Sequence, residues 1–462
     1  MNNKELLDPS RRRFIRQACC SAVGATGLLS TLAQLRLIGA MAADSSPTGY
    51  KALVCLFLQG GNDTNNVIIP SDTADYNAYA AARSFLAIPQ SQLLPISPAT
   101  YSDGRTYSLN PNLPELQTLF AQKNLAFLAN TGTLVQPTTL AQYLSGAALP
   151  PQLFSHIDQQ TQWQSSVPDQ PFTTGWGGRL ADLVNSMNAN NQISMSIGLT
   201  GNNFFEVGNT VAQYAVSPNG AITLSGSTGS PTSQSGVRFK AQTDILNVQE
   251  ASLFQTAFAG LTQNSIADSQ VLTSALSNAA TLKTVFPTTT TGGQLSMIAR
   301  LISAGPSLGL NRQIFFAQLG GWDLHASQVA AHPPLLSEIS QALNAFYAAT
   351  VEMGVANQVT AFTASDFSRT YNPNGSGTDH GWGTHCLIMG GAVQGGDIYG
   401  RMPSLVVGGP DDTGRGRWIP STSVDQYSAT LASWFGVSSA NLSTVLPNIG
   451  RFAQPNLGFM GS

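Results

Sequence analysis

Residues 52–58 read ALVCLFL, seven apolar side chains in a row, and the run stops at Gly60-Gly61. A run this short, with no polar alternation, fits a strand covered on both faces. The same grammar recurs along the chain. Residues 124–129 (NLAFLA) end in NTGT, 193–199 (ISMSIGL) in TGNN, 313–319 (QIFFAQL) in GGWDLH and 358–363 (QVTAFT) in ASDFSRT. Helical patterns lie between them. Leu336, Ile339, Leu343, Phe346 and Val351 fall at helical spacing within 335–353, with Gly354 as the stop. A second pattern spans 424–435 and ends at Gly436. Strands alternating with helices predict an α/β fold with a mainly parallel central sheet. No internal repeat is visible.

The chain has 462 residues, of which 42% are hydrophobic. That is enough to bury a sizeable core. Only 10% are charged, against about 25% in ordinary soluble proteins. Ser, Thr, Asn and Gln supply the missing polarity, and 44 Gly and 25 Pro predict many loops. Lys and Arg total 21, with no basic run outside the N-terminus, so nucleic-acid binding is not expected. Residues 217–237 and 286–294 are low in complexity. The stretch 200–295 reads as a variable insertion or lid around a helical piece near 266–283, within a single domain over 43–462.

The N-terminus stands apart from the fold. Ser10-Arg11-Arg12 precedes Arg13, Phe14, Ile15 and Arg16, and a weakly apolar stretch runs from Ala18 to Leu35. Ala40-Met41-Ala42 offers a small-residue cleavage site. This resembles a twin-arginine export signal, which typically reads S-R-R-x-F-L-K. It implies the twin-arginine translocase as a partner, cleavage near Ala42 and a periplasmic or extracellular location. The alternative is a membrane anchor. Gly, Ser and Thr within the stretch and Arg36 after it make a poor permanent span. Without residues 1–42 the chain keeps 15 basic and 22 acidic residues, a net charge near −7. Cys55 and Cys386 then remain, 331 positions apart and each in an apolar run. They read as buried free thiols rather than a disulfide framework.

In an open α/β sheet, ligands bind beyond the carboxyl ends of the strands. Asp63 follows the first run, Asp323 and His325 follow 313–319, and Asp366 follows 358–363. Arg369 is close behind, and then comes the loop GTDHGWGTHC with Asp379, His380 and His385. Carboxylate and imidazole together suit one or two divalent ions, with Zn, Mn, Fe, Mg and Ca not distinguished. Each residue has a plainer alternative. Asp63 suits a turn, Asp323-x-His325 an exposed strand-end turn, Asp366 a helix cap, and the two loop histidines a hydrogen-bonded loop. Between the latter, His380 is the first choice as a ligand. His385 runs into the apolar CLIMGG, which suits a core histidine. Gly377, Gly381 and Gly383 let the loop bend towards the strand ends, and Trp382 is placed to shield the site. His332, before Pro333-Pro334, reads as surface.

Residues 153–163 (LFSHIDQQTQW) add a third element. Ser155 and Asp158 form an S-x-x-D capping box that opens a helix. The chemical alternative makes Ser155 a nucleophile in the positive field of the helix N-terminus, with His156 ligating metal or orienting substrate. Ser155, His156 and Arg369 are thus the candidate catalytic residues.

Together these pieces resemble the bacterial domain of unknown function 1501, a twin-arginine-exported family. The matching segments are LFLQGGNDTNN, SHIDQQTQW with GWGGRLAD, GGWDLH, ASDFSRTYNPNGSGTDHGWG, GGAVQGGDIYGRMP and DQYSATLASWFGV. The family is grouped with the alkaline phosphatase and sulfatase superfamily. That resemblance implies a mainly parallel sheet with helices on both faces. It also implies a two-metal Asp/His cluster beside a Ser, Thr or formylglycine nucleophile. Asp63 then looks like the first-strand carboxylate, Asp323 and His325 like the pair after a later strand, Asp366 like the next carboxylate, and His380 or His385 like the late histidine. Two features depart from the pattern. The expected Asp-His doublet is Asp366-Phe367, so one ligand is either missing or displaced to Asp379-His380. No C-x-P-x-R of the sulfatase type is present. The implied function is a metallohydrolase of small anionic phosphate or sulfate esters. Its rivals are a one-metal hydrolase and a catalytically silent binding or envelope-assembly protein on the same fold.

Overall fold

A computed structural model describes residues 49–227, 230–248 and 252–461. The N-terminal stretch expected to be an export signal, with Cys19 and Cys20, lies outside them. In chain order the strands are β1 (Lys51–Leu58), β2 (Ile68–Pro70), β3 (Leu94–Ile96), β4 (Tyr107–Leu109), β5 (Leu125–Gly132), β6 (Ser196–Gly198) and β7 (Tyr214–Ser217). After them come β8 (Gly220–Ala221), β9 (Arg312–Leu319), β10 (Val359–Ser365), β11 (Thr384–Met389), β12 (Ile398–Gly400) and β13 (Thr422–Ser423). Among the described residues, ten strands form one sheet ordered β12-β5-β11-β10-β1-β9-β6-β7-β8, with β13 also pairing β5. The protein is therefore an α/β protein with a mainly parallel central sheet. Only β11 and β8 run against the rest. The strands β2, β4 and β3 form a small separate antiparallel sheet.

The apolar runs become strands because they can be covered on both sides. Every residue of β5, β10 and β11 is buried, as is every residue of β1 after Lys51. Side chains alternate between faces along a strand, so continuous burial means that both faces carry cover. Cys55 and Cys386 are buried and free within this core. Some boundaries differ from expectation. The strand expected at 124–129 runs on to Gly132. The one expected at 193–199 pairs only over Ser196–Gly198.

The helix expected from 335 begins at Gln328 and carries Pro333 and Pro334 inside it. The two missing N–H groups would have bonded the carbonyls of Val329 and Ala330. Both residues are exposed, so the lost bonds fall in a surface turn where solvent can replace them. The same turn buries His332, which the sequence placed on the surface. Its Nε2 meets Asn62 Oδ1 at 3.0 Å, and burial pushes its pKa down to about 4. The helix Val424–Phe435 falls where its pattern put it. The helical piece expected near 266–283 is longer and earlier, Leu253–Asn278.

Candidate metal centre

The strands β10, β1 and β9 lie side by side and parallel. Leu58 is level with Ser365 on one side and with Leu319 on the other. Three loops therefore start at the same height on one sheet edge. They are packed closely. A Cβ on Gly60, whose φ is +117°, would lie 2.5 Å from the backbone nitrogen of Asp323. The strand β11 runs the other way, so the loop that precedes it, with His380, arrives at this edge too. That loop has one left-handed glycine, Gly375 at φ +104°. None of Gly377, Gly381 and Gly383 has positive φ. Gly377 is needed for close approach, since a Cβ there would lie 2.2 Å from the carbonyl oxygen of Leu324.

At this edge the donor atoms of His156, Asp323 and His380 lie within 4.8 Å of one another. His156 and His380 bring their Nε2 atoms to 3.0 Å, and each is 3.4 Å from Asp323 Oδ1. His325 Nε2 is 2.9 Å from His380 Nε2 and 3.1 Å from the same Oδ1. Two ligands on one Zn-sized ion, at about 2.1 Å each and a tetrahedral angle, are about 3.4 Å apart.

The opposite nitrogen of each ring fixes its tautomer. His380 Nδ1 is 2.6 Å from the Phe154 carbonyl oxygen, which only accepts, so Nδ1 carries the proton. His156 Nδ1 is 2.6 Å from Asp366 Oδ2, and His325 Nδ1 is 3.1 Å from Asp379 Oδ1. Facing carboxylates, these nitrogens carry protons as well. All three rings then turn Nε2 lone pairs inward, the arrangement that orients imidazoles on a metal. In these neutral tautomers neither short Nε2 contact has a proton to share.

The surroundings hold these groups in place. Phe367 stacks on His380 and packs against His156, with centroids 4.8 Å away in each case. Burial pushes the His380 pKa down, which favours the neutral ring. The Asp366 hydrogen bond outweighs burial at His156 and raises its pKa. Asp366 is fully buried, accepts from the backbone N–H of Gly60 at 3.2 Å and from Gln160 Nε2 at 2.9 Å. Arg369, also buried, donates to Asp323 Oδ1 at 2.7 Å and to the Gly60 carbonyl at 3.1 Å. Burial alone would raise the Asp323 pKa, but the Arg369 contact holds it below the usual range. Burial acts the same way on Asp379, and Asn374, Arg415 and His325 take it down to about 2.

The sequence pattern of the family described as "Protein of unknown function (DUF1501)" matches residues 50–413. The chain belongs to the DUF1501 family. No curated protein sequence matches it. Solved structures similar to it include the PsFucS1 sulfatase from Pseudoalteromonas sp., at 8% identity over 93% of this chain and 74% of that one, with a TM-score of 0.35. Another is the phosphonate monoester hydrolase SpPMH from Silicibacter pomeroyi, at 7% identity over 84% and 74%, TM-score 0.33. A third is the C-terminal periplasmic domain of EcEptC from Escherichia coli, at 11% identity over 88% of each chain, TM-score 0.32.

In this DUF1501 chain the structure sorts the candidate residues. It brings Asp323, His325 and His380 together and adds His156 to their donor set. Asp366 and Asp379 stand behind the rings of His156 and His325. Asp63 does not join them. It is buried in an ion pair with Arg83 and also accepts from Gln328 Nε2 and, at 3.3 Å, Asn65 Nδ2. Arg83 closes the helix Thr73–Arg83, twenty positions on, so no local signal announced the pairing.

His385 is likewise outside the group. Its Nδ1 accepts from the Asn130 N–H at 3.0 Å, and burial lowers its pKa to about 4. It is the core histidine that its apolar flank suggested. Trp382 does not shield the site; it is buried in a side cluster with Leu134, Ile419 and Phe452. Ser155 precedes the helix His156–Ser165, but its side chain caps no backbone N–H and donates instead to Asp158 Oδ2.

Sequence reading missed Gln160, Phe367, Asn374 and Arg415. Gln160 had a signal, lying one helical turn beyond His156.

Proposed function

We propose that this protein is an exported, metal-dependent hydrolase of phosphate or sulfate esters, with one ion held by His156, Asp323 and His380 and joined by His325. The observation that carries this reading is the inward convergence of three imidazole Nε2 atoms on one carboxylate oxygen, each ring locked from behind. The donor set fits the ion: mixed imidazole and carboxylate, with Nε2 atoms turned inward and an ionised Asp323. A divalent ion there would supply Lewis acidity to an ester oxygen and a more acidic bound water. The protein's own groups do the rest. Arg369 keeps Asp323 ionised and fixed. Asp366, Asp379 and the Phe154 carbonyl keep each ring proton on the outer nitrogen. Half-exposed Arg415, paired to Asp379, brings positive charge to the rim, where an anionic ester would approach. Ser155, adjacent to His156 and bonded to Asp158, remains the candidate nucleophile. Export rests on the Arg11-Arg12 pair.

A second reading, a silent binding protein on the same fold, draws on Asp63. The carboxylate after the first strand is closed off by Arg83 rather than offered to an ion. A panel of phosphate monoesters, phosphate diesters and sulfate esters separates the two. The hydrolase reading expects turnover of at least one class by metal-loaded protein and loss of turnover after chelation. Metal-loaded protein inert towards all three classes would overturn it in favour of the binding reading.

A further inference from the structure

The helix Gln234–Leu246 and the 26-residue helix Leu253–Asn278 pack together. Gln263 Nε2 locks them by donating to the Leu246 carbonyl at 3.0 Å and to Asn247 Oδ1 at 2.9 Å. The longer helix is anchored only by its second half. Its buried residues are Ser269, Leu272, Ala275 and Leu276, and it packs there on β8 and on the helix Thr290–Ala304. The first half stands clear. Phe254 is 89% exposed and Phe258 67%. With Leu261 they fall at i, i+4 and i+7, a single helical stripe. Leu253 beside the stripe, Ile245 from the shorter helix and Val248 just after it are also more than half exposed. Gly260, between Phe258 and Leu261, has nothing within 4 Å of a Cβ built on it.

We propose that this hairpin is a dimerisation surface, and that its occupant is the same hairpin of a second copy of the chain across a two-fold axis. Area is the first argument. Large apolar side chains offer about 150–200 Å² each, so six of them expose on the order of 800 Å². That is what each partner buries in a stable complex, and more than a monomer usually leaves in one apolar patch. Charge is the second. No charged residue occurs from 251 to 267, so two copies meet without like-charge repulsion. A lipid surface is the poorer occupant. From 241 to 282 there is no Lys or Arg to meet anionic headgroups, and Lys240 is paired with Asp244 at 2.8 Å. A two-fold contact uses the same patch on both chains, as most homodimers do.

Sedimentation of the purified protein from submicromolar to tens of micromolar tests this. Wild type should sediment at twice the chain mass. The variant Phe254→Asp/Phe258→Asp should weaken association at least about 100-fold and keep the wild-type circular dichroism spectrum, because both side chains are exposed in the single chain. A wild type that is monomeric throughout the range overturns the proposal, as does a variant that dimerises as tightly as wild type. A monomer that floats with phosphatidylglycerol vesicles also overturns it and assigns the face to a membrane.

Discussion

Asp63 and Asp366 show how little a carboxylate at a strand end says by itself. Both follow central parallel strands and both are buried, yet one neutralises Arg83 and the other holds His156. The difference lies in partners 20 and 210 positions away, which no local pattern reports. It has a measurable consequence. Asp63→Asn should leave bound metal at the wild-type level and cost about 3–5 kcal/mol of stability, because it strands a buried guanidinium. Loss of metal from the folded variant would return Asp63 to the ligand set. The two loop histidines were better separated by sequence. The Gly-rich surroundings of His380 and the apolar run after His385 already distinguished a presented ring from a core ring. What sequence lacked was the inward turn of His156, which depends on Asp366, and that of His380, which depends on the Phe154 carbonyl just before the helix.

The parallel strands were readable as elements because burial on both faces favours apolar runs, uninterrupted in β1 after Lys51 and shorter in β9, where it is Ile314–Ala317. The antiparallel β11 was less visible, since its first residues, Thr384 and His385, belong to the loop motif. Pro333 and Pro334 hid the start of a helix because propensity forbids what an exposed turn tolerates. The helix Val424–Phe435 shows local and global signals agreeing. Ser423 Oγ accepts from the Gln426 N–H and Gln426 Oε1 accepts from the Ser423 N–H, each at 3.1 Å. Ser423→Ala should cost about 1 kcal/mol in urea unfolding, and Ser423→Asp should recover most of it. An unchanged midpoint in Ser423→Ala would mean that packing alone sets this helix.

Across the whole molecule, sparse charge leaves buried titratable groups to shape the pH dependence of stability. Burial pushes the Glu206 carboxyl up to about 8 and that of Asp425 to about 7. Their raised folded values mean that the stability they carry is complete below their unfolded values and is lost as pH rises through 7 and 8. His332 and His385, depressed to about 4, act in the other direction. Their contribution is complete above pH 6.5 and is lost as pH falls towards 4. Above pH 6.5 the two acids and His156, whose pKa is also raised, act in one direction, so the urea midpoint should fall between pH 6.5 and 8.5, and Glu206→Gln should flatten that fall. An equal slope in the variant would show that Glu206 is not the group responsible. The central claim concerns one ion on four side chains. Mass spectrometry of metals in the purified, folded protein tests it most directly. The account predicts about one divalent ion per chain in wild type and in Ser423→Ala, and none in His380→Ala or in His156→Ala/Asp323→Ala at unchanged fold. A wild type without metal, or a full complement in both histidine-site variants, would contradict it.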